Sequence, residues 1–336
     1  MSEQTQRKLD QLVEIVANAG KLLIFTHPHP DPDTLASAFA LYRIAAHLNT
    51  PATIYITSEL GRPENKAMVK QLRIPVRRTP SRIPKGVRAL VDAQPTTHVP
   101  KGIRAFDIAF DHHPLKKKTT KLSFWDVRPN YGACSSILTE YLQALGVKPD
   151  RFLATALFYG IKTDVGELAR QIDESDIRAM QTLFPHISHQ LLRKIERPRL
   201  PLEFFTALYT GMNTATIHGK LMTARLPKGS PPEIAALLAD WLLRAKGTSW
   251  SFCATEHRGR LYFSLRSIRA GKRAGEIAAR LVGHKGTGGG HHMSAGGHMI
   301  LDRTSFDEAY SMLVERLKGL LGLSGTVAKR LIQEEP

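Results

Sequence analysis

The sequence predicts an α/β protein of two domains, an N-terminal doubly wound, mostly parallel sheet joined by a hinge to a smaller α/β domain. Three observations predict it. Short apolar runs alternate with amphipathic stretches early in the chain, as in a parallel sheet with crossover helices. Residues 132–212 then turn almost wholly helical, and beyond them the alternation begins again. At 336 residues the chain is also longer than one core usually serves.

Taken in order, "KLLIFTH" (21–27), "ATIYIT" (52–57), "RALVDA" (88–93), "IRAFDIAFDHH" (103–113) and "LSFWDV" (122–127) read as strands. Helical spacing runs between them from Thr34 to Leu48 and from Asn65 to Leu72, and an apolar helix follows at Phe152 to Ile161. The stretch "LLRKIERPRLPLEFF" carries two prolines and four basic residues, Arg193, Lys194, Arg197 and Arg199, and reads as the hinge. This gives a first domain over 1–190, a helical linker over 191–212 and a second domain over 213–336. In the second domain "TIHGKLMTARL" reads as one strand and "PPEIAALLADWLLRA" as a helix opened by proline. "SWSFCATEHRGRLYFSLRS" reads as a hairpin turning at Arg258–Gly259. A helix, a glycine-rich loop and a terminal helix from Phe306 to Leu321 close the chain.

Composition narrows the class. With 42% hydrophobic and 23% charged residues the chain is globular, and no apolar run is long enough to span a membrane. The polar start "MSEQTQRKLDQ" is not a signal peptide. Cys134 and Cys253 lie in apolar contexts without CxxC spacing, which reads as buried thiols in a reducing cytoplasm rather than a disulfide or a metal site. The formal charge is +17, with dense basic stretches at Arg62 to Arg88 and in "HPLKKKTTK". Such a field draws in nucleic acid, nucleotides or polyphosphate, although a solvated basic face would look the same.

Polar groups cluster where the apolar strands stop, and open α/β sheets bind ligands beyond the carboxyl ends of their strands. His27, Asp31 and Asp33 follow the first strand, Asp92 ends "RALVD", and "DHHP" ends "AFDIAF". Prolines 30 and 32 restrict the first loop, so holding its side chains costs less entropy. With His112 taken from the last motif, two histidines and three aspartates without thiolate suit Mn²⁺, Mg²⁺ or a similar ion. Two ions sharing one carboxylate is the simplest arrangement, because a single ion leaves at least one ligand over. Each motif alone also has a plainer reading: Asp33 can cap the helix that follows, and Asp164 in "GIKTDVG" can be a turn residue.

The ordered set "HPHPDPDTLASA", "VDA", "DHHP", "GIKTDVG" and "GTGGGHHMSAG" resembles the successive motifs of the DHH/DHHA1 phosphoesterases, from about residue 20 to about residue 300. The size is similar to the branch of nanoRNases and pAp phosphatases. The resemblance implies a DHH domain with two divalent ions, usually Mn²⁺ with Mg²⁺ or Co²⁺ as alternatives, and a DHHA1 domain that binds substrate. His27 and Asp31 would hold one ion, and Asp33, His112 and Asp164 the other, with Asp92 between them. Asp111 would orient the imidazoles beside it, and His113 would face the substrate phosphate or help protonate the leaving oxygen. His29 falls at an unassigned position. Two divalent ions about 3.5–4 Å apart activate a water for in-line attack, so no protein nucleophile is required.

In the second domain, Gly289, Gly290 and His291 resemble the family's GGGHxxAAG loop, with Ser294 in place of its first alanine. Arg266, at the end of "YFSLRS", resembles the arginine that grips a terminal phosphate. Anion sites on both sides of a hinge suit short RNA or DNA, dinucleotides or 3′-phosphoadenosine 5′-phosphate. The alternatives are a cyclic- or linear-dinucleotide phosphodiesterase, a RecJ-like single-strand exonuclease, and a nucleic-acid-binding protein with a relict site. The intact ligand set argues against the last, and "GGGHHMSAG" argues against a type II pyrophosphatase. A homodimer is left open.

Overall fold

The computed structural model describes residues 3–28, 30–95, 103, 105–166, 172–268, 274–290 and 293–332. The chain divides into two compact units, Met1–Pro198 and Arg199–Pro336. The first contains, in order, α1 (Glu3–Ala17), β1 (Leu22–Phe25), α2 (Pro32–His47), β2 (Ala52–Ile56), α3 (Pro63–Leu72), β3 (Val76–Arg78), β4 (Val87–Val91), β5 (Ile108–Asp111) and β6 (Phe124–Val127). Four helices follow: α4 (Cys134–Ala144), α5 (Arg151–Asp164), α6 (Glu174–Leu183) and α7 (His189–Glu196).

The six strands form one sheet in the order β3-β2-β1-β4-β5-β6, with every pairing parallel. β1 is apolar throughout because both of its faces are buried. Leu22 and Ile24 enter the larger core with residues of α1 to α5, while Leu23 and Phe25 enter a smaller one closed by Ile103 and Phe106. The strand order reverses direction between β1 and β4, so the crevice of a doubly wound sheet opens beyond the ends of those two strands. α2 is buried on nearly every side and packs on α4 and α5. A Cβ added at Gly160 in α5 would lie 3.1 Å from both Ala36 Cβ and Asp33 Cα, so the two helices meet closely beside the crevice. Two elements add to those read from the sequence: α1, whose Leu9, Leu12 and Val16 recur at helical spacing on one buried face, and β3, an edge strand whose Arg77 and Arg78 are exposed.

The second unit contains α8 (Leu202–Asn213), β7 (Thr216–His218), β8 (Leu221–Arg225), α9 (Pro232–Leu242), β9 (Trp250–His257), β10 (Arg260–Ser267), α10 (Ala274–Val282), β11 (Gly286–Gly290), β12 (Ser294–Ile300), α11 (Phe306–Leu321) and β13 (Lys329–Arg330). Its sheet runs β11-β12-β10-β9-β8-β7-β13 and is mixed: only β8 and β9 pair parallel. One face packs on α8 and α9, the other on α10 and α11. The 258–259 turn has positive φ at both residues, as a two-residue hairpin requires.

Two expectations change. "TIHGKLMTARL" is not one strand but a tight hairpin, because Gly219 takes a φ of +61° and reverses the chain between β7 and β8. The glycine-rich stretch is not a loop at 286–290 but the edge strand β11, paired with β12. Glycine is needed there for close packing: a Cβ on Gly288 would strike the backbone of Ala278 in α10.

Candidate metal centre

The first wall of the crevice is built by the turn from β1 into α2. His27 Nδ1 donates to the Pro28 carbonyl at 2.7 Å, which turns Nε2 toward Thr34 Oγ1 at 2.7 Å. Asn65 of α3 donates to the Pro30 carbonyl and ties the loop down. Asp31, not Asp33, is the cap of α2: its Oδ1 accepts from Thr34 N at 3.0 Å and from Thr34 Oγ1 at 2.9 Å. Asp33 lies in the first turn, fully buried, and points away from its own helix end. Its two carboxylate oxygens accept from the backbone N–H groups of Cys134 and Ser135 at 2.7 and 2.8 Å.

Asp92 follows β4 directly with φ of +54°, an uncommon conformation for a residue with a side chain. Its Oδ2 lies 2.5 Å from Thr34 Oγ1, competing with Asp31 for that hydroxyl's one proton, and 3.6 Å from His27 Nε2. Its Oδ1 lies 3.5 Å from His112 Nε2, and Asp164, the last residue of α5, approaches the same nitrogen at 3.0 Å. His112 Nδ1 donates to the Tyr131 carbonyl at 3.2 Å. Asp111 ends β5 almost wholly buried. Its Oδ1 accepts from His112 N and from His113 Nδ1, and its Oδ2 accepts from Gln94 Nε2. His113 is the most exposed of these groups, with 38% of its side chain accessible.

Three sets of side chains bring ligand atoms within 4.8 Å of one another: His27, Asp31 and Asp92; Asp33, His112 and Asp164; and Asp92, His112 and His113. The first two sets do not overlap, and Asp92 touches a histidine of each. Burial and the Asp92 charge push the Asp31 carboxyl up, and the same causes push Asp33 well above the usual range. Burial would raise Asp92 too, but the His112 and His27 imidazoles, 3.5 and 3.6 Å away, hold it below the usual carboxylate range. Burial also opposes charge on the histidines. Asp92 outweighs it at His27, raised to about 9, and Asp164 with Asp92 outweighs it at His112, raised to about 12. Asp111 raises His113 by its hydrogen bond and charge. Four aspartates thus face two imidazoles, and Asp92 Oδ1 is buried with no hydrogen bond. Such an orphaned acceptor among crowded carboxylates fits divalent cations with oxygen and imidazole ligands.

Sequence reasoning missed Thr34, whose hydroxyl touches His27, Asp31 and Asp92 together. It also missed Gln94, two residues past Asp92, which bonds Asp111 and holds the 116–119 turn through Lys116 N and Thr119 Oγ1. In the second unit, Arg266 is only 7% exposed: its Nε donates to Asp240 at 2.6 Å and its Nη1 to the Leu265 and Ala295 carbonyls. Gly289 has open space where a Cβ would be, whereas Gly290 is crowded by Ser294 and Ala295. His291 and His29 lie outside the described residues. Both cysteines are buried free thiols.

Comparison with known proteins accords with this geometry. Residues 21–161 match the DHH family N-terminal domain and residues 218–319 the DHHA1 domain. The chain is 34% identical over 300 residues to the uncharacterized protein MJ1633 of Methanocaldococcus jannaschii, covering 88% of this chain but only 62% of that longer relative. It is 26% identical over 330 residues to the bifunctional oligoribonuclease and PAP phosphatase NrnA of Thermus thermophilus, covering 95% of this chain and 96% of that one. An exopolyphosphatase-related protein from Bacteroides fragilis shares the fold, with a TM-score of 0.72 at 14% identity over 95% of this chain and 97% of that one. With a DHH domain followed by a DHHA1 domain, and with acidic and histidine clusters at the strand ends of the first, the chain belongs to the DHH family.

Proposed function

We propose that this protein is a two-metal phosphoesterase that hydrolyses short oligonucleotides and 3′-phosphonucleotides of the pAp type, with Mn²⁺ as its working ion. The observation that carries the reading is the placement of Asp92 between two separate ligand sets at the reversal point of the sheet. His27 and Asp31 would hold one ion, Asp33, His112 and Asp164 the other, and Asp92 would serve both. When bound, two such cations activate water and offset the negative charge of a phosphoryl group. The chain's own residues do the rest. Asp111 fixes the His113 ring through Nδ1, and Gln94 fixes Asp111, so His113 is aimed and accessible to a phosphate or a leaving oxygen. Thr34 keeps His27, Asp31 and Asp92 in register. The N-terminal unit is then the catalytic domain and the C-terminal unit the substrate domain, with Arg266, Gly289, Gly290 and His291 as its phosphate contacts. The activities in the name of the Thermus thermophilus relative support the choice of substrate.

The charge of +17 favours a second reading, an exonuclease that follows a longer single strand. One time course with Mn²⁺ separates the two, run on pAp, pApA, cyclic di-AMP, a short RNA oligomer and long single-stranded DNA. The proposed function predicts fastest turnover of pAp and the shortest RNA. Preference for the long DNA would replace it with the exonuclease reading.

A further inference from the structure

The sequence "RPNYGACSS", residues 128–136, has no part in the ligand set, yet it touches two of the three side chains in one cluster. α4 has no side chain of its own capping its first turn, since Ala133 precedes it. Asp33 supplies that cap from α2, so the Cys134 and Ser135 N–H groups fix both of its carboxylate oxygens. Three residues earlier, the Tyr131 carbonyl takes the Nδ1 proton of His112. That bond fixes the ring and leaves Nε2 facing Asp164, so Nδ1 is already committed when Nε2 serves an ion.

The segment is itself held from both sides. Arg128 N donates to the Asp111 carbonyl, and Tyr131 N closes a turn on the Arg128 carbonyl. Arg128 Nη1 reaches the Tyr131 hydroxyl at 2.9 Å and Glu140 Oε2 at 2.6 Å, and the Tyr131 hydroxyl donates to Glu140 Oε1 at 2.7 Å. On the other side the fully buried Asp176 accepts from Gly132 N and Ser136 Oγ. His27 and Asp31 bond instead to Pro28 and Thr34, and among the described residues neither bonds to this segment.

We propose that segment 128–136, locked by the Arg128–Tyr131–Glu140 triangle, positions Asp33 and His112 and thereby sets the affinity of the ion they hold with Asp164, separately from the ion at His27 and Asp31. The inference rests on the two-ion reading above. Arg128, Tyr131 and Glu140 are positioning residues that act through His112 and Asp33. Groups that orient metal ligands typically change metal affinity by about 10- to 100-fold when lost.

The test is titration of the full-length, metal-free protein with Mn²⁺, following free Mn²⁺ by electron paramagnetic resonance. Wild type should bind two ions. Tyr131→Phe keeps the ring and removes the hydroxyl link, and Glu140→Gln loosens the same triangle without deleting a buried side chain. Each should weaken one binding step about tenfold or more and leave the other within about twofold. The weakened step should be the one that His27→Gln leaves intact. ¹⁵N-resolved histidine spectra of metal-free Tyr131→Phe should also show a weakened hydrogen bond at His112 Nδ1. Two unchanged steps in both variants, or an equal fall in both steps alongside a lowered melting temperature, would overturn the positioning role. Fewer than two ions bound to the wild type would instead overturn the two-ion reading, and the positioning role with it.

Discussion

Replacing Asp92 by asparagine removes one negative charge while keeping the shape of the side chain. Asparagine tolerates the φ of +54° at this position, whereas alanine would add backbone strain to the measurement. In the metal-free protein the charge attracts His112 at 3.5 Å and His27 at 3.6 Å. At an effective dielectric near 20, each contact amounts to about 5 kcal/mol of Coulomb attraction before desolvation is subtracted. The same charge repels Asp31 and Asp33 and is a leading cause of their raised pKa values. Attraction lost and repulsion relieved oppose each other, so the metal-free melting temperature should move by only a few degrees. The response to metal should change far more. In the wild type, Mn²⁺ at 100 times its dissociation constant adds about 2.7 kcal/mol per ion, or roughly 5–11 °C for a unit of this size. In Asp92→Asn that rise should largely vanish, and turnover should fall by about 10³ or more, equivalent to about 4 kcal/mol of transition-state stabilisation. The assays are melting with and without Mn²⁺ or EDTA, and hydrolysis of pAp. A variant that keeps its Mn²⁺-induced rise and turns over within tenfold of wild type would refute the shared-carboxylate assignment.

Gly160→Ala should destabilise the first unit by about 1–3 kcal/mol, because its Cβ would press on Ser135 Oγ, Ala36 and the backbone of Asp33; an unchanged denaturation midpoint would show that α2 and α5 can separate freely. Asp126 is buried, and although burial raises its pKa, the hydrogen bond and charge of Arg128 together with Lys8 lower it below the usual value. Its stabilisation is therefore complete above the unfolded carboxylate's pKa of about 4 and fades as pH falls through the lower folded value. Melting curves from pH 7 to pH 2 should show an acid limb that is shallower in Asp126→Asn, and parallel limbs would contradict this. Arg266→Ala should raise KM for dinucleotides more than it lowers kcat. Arg266→Lys keeps the charge but loses the forked hydrogen bonds that hold Asp240 and two carbonyls, so it should show an intermediate KM; a folded Arg266→Ala protein with an unchanged KM would remove the residue from the site.

The order and chemistry of the candidate ligands are legible in the sequence, since His27, Asp92 and His112 stand just past apolar runs and Asp31 and Asp33 follow His27 in the proline-restricted loop. A strand buried on both faces is apolar throughout, so the first polar residue after it marks the rim of the sheet. The hairpin at Arg258–Gly259 and the helix from Phe306 to Leu321 are legible for the same kind of reason, being set by local backbone preference and periodicity. Other features were decided only by tertiary structure. Asp31 rather than Asp33 caps α2, because α4 offers Asp33 two N–H groups from 101 and 102 residues away. Arg266 is buried against Asp240, and the glycines of 286–290 form a strand because α10 packs hard upon them. The hold on His112 by the Tyr131 carbonyl, and on Asp33 by the Cys134 and Ser135 N–H groups, leaves no mark on residue identity. Every residue except proline carries that donor and every residue that acceptor, so only the folded path of the chain determines which of them reach the site.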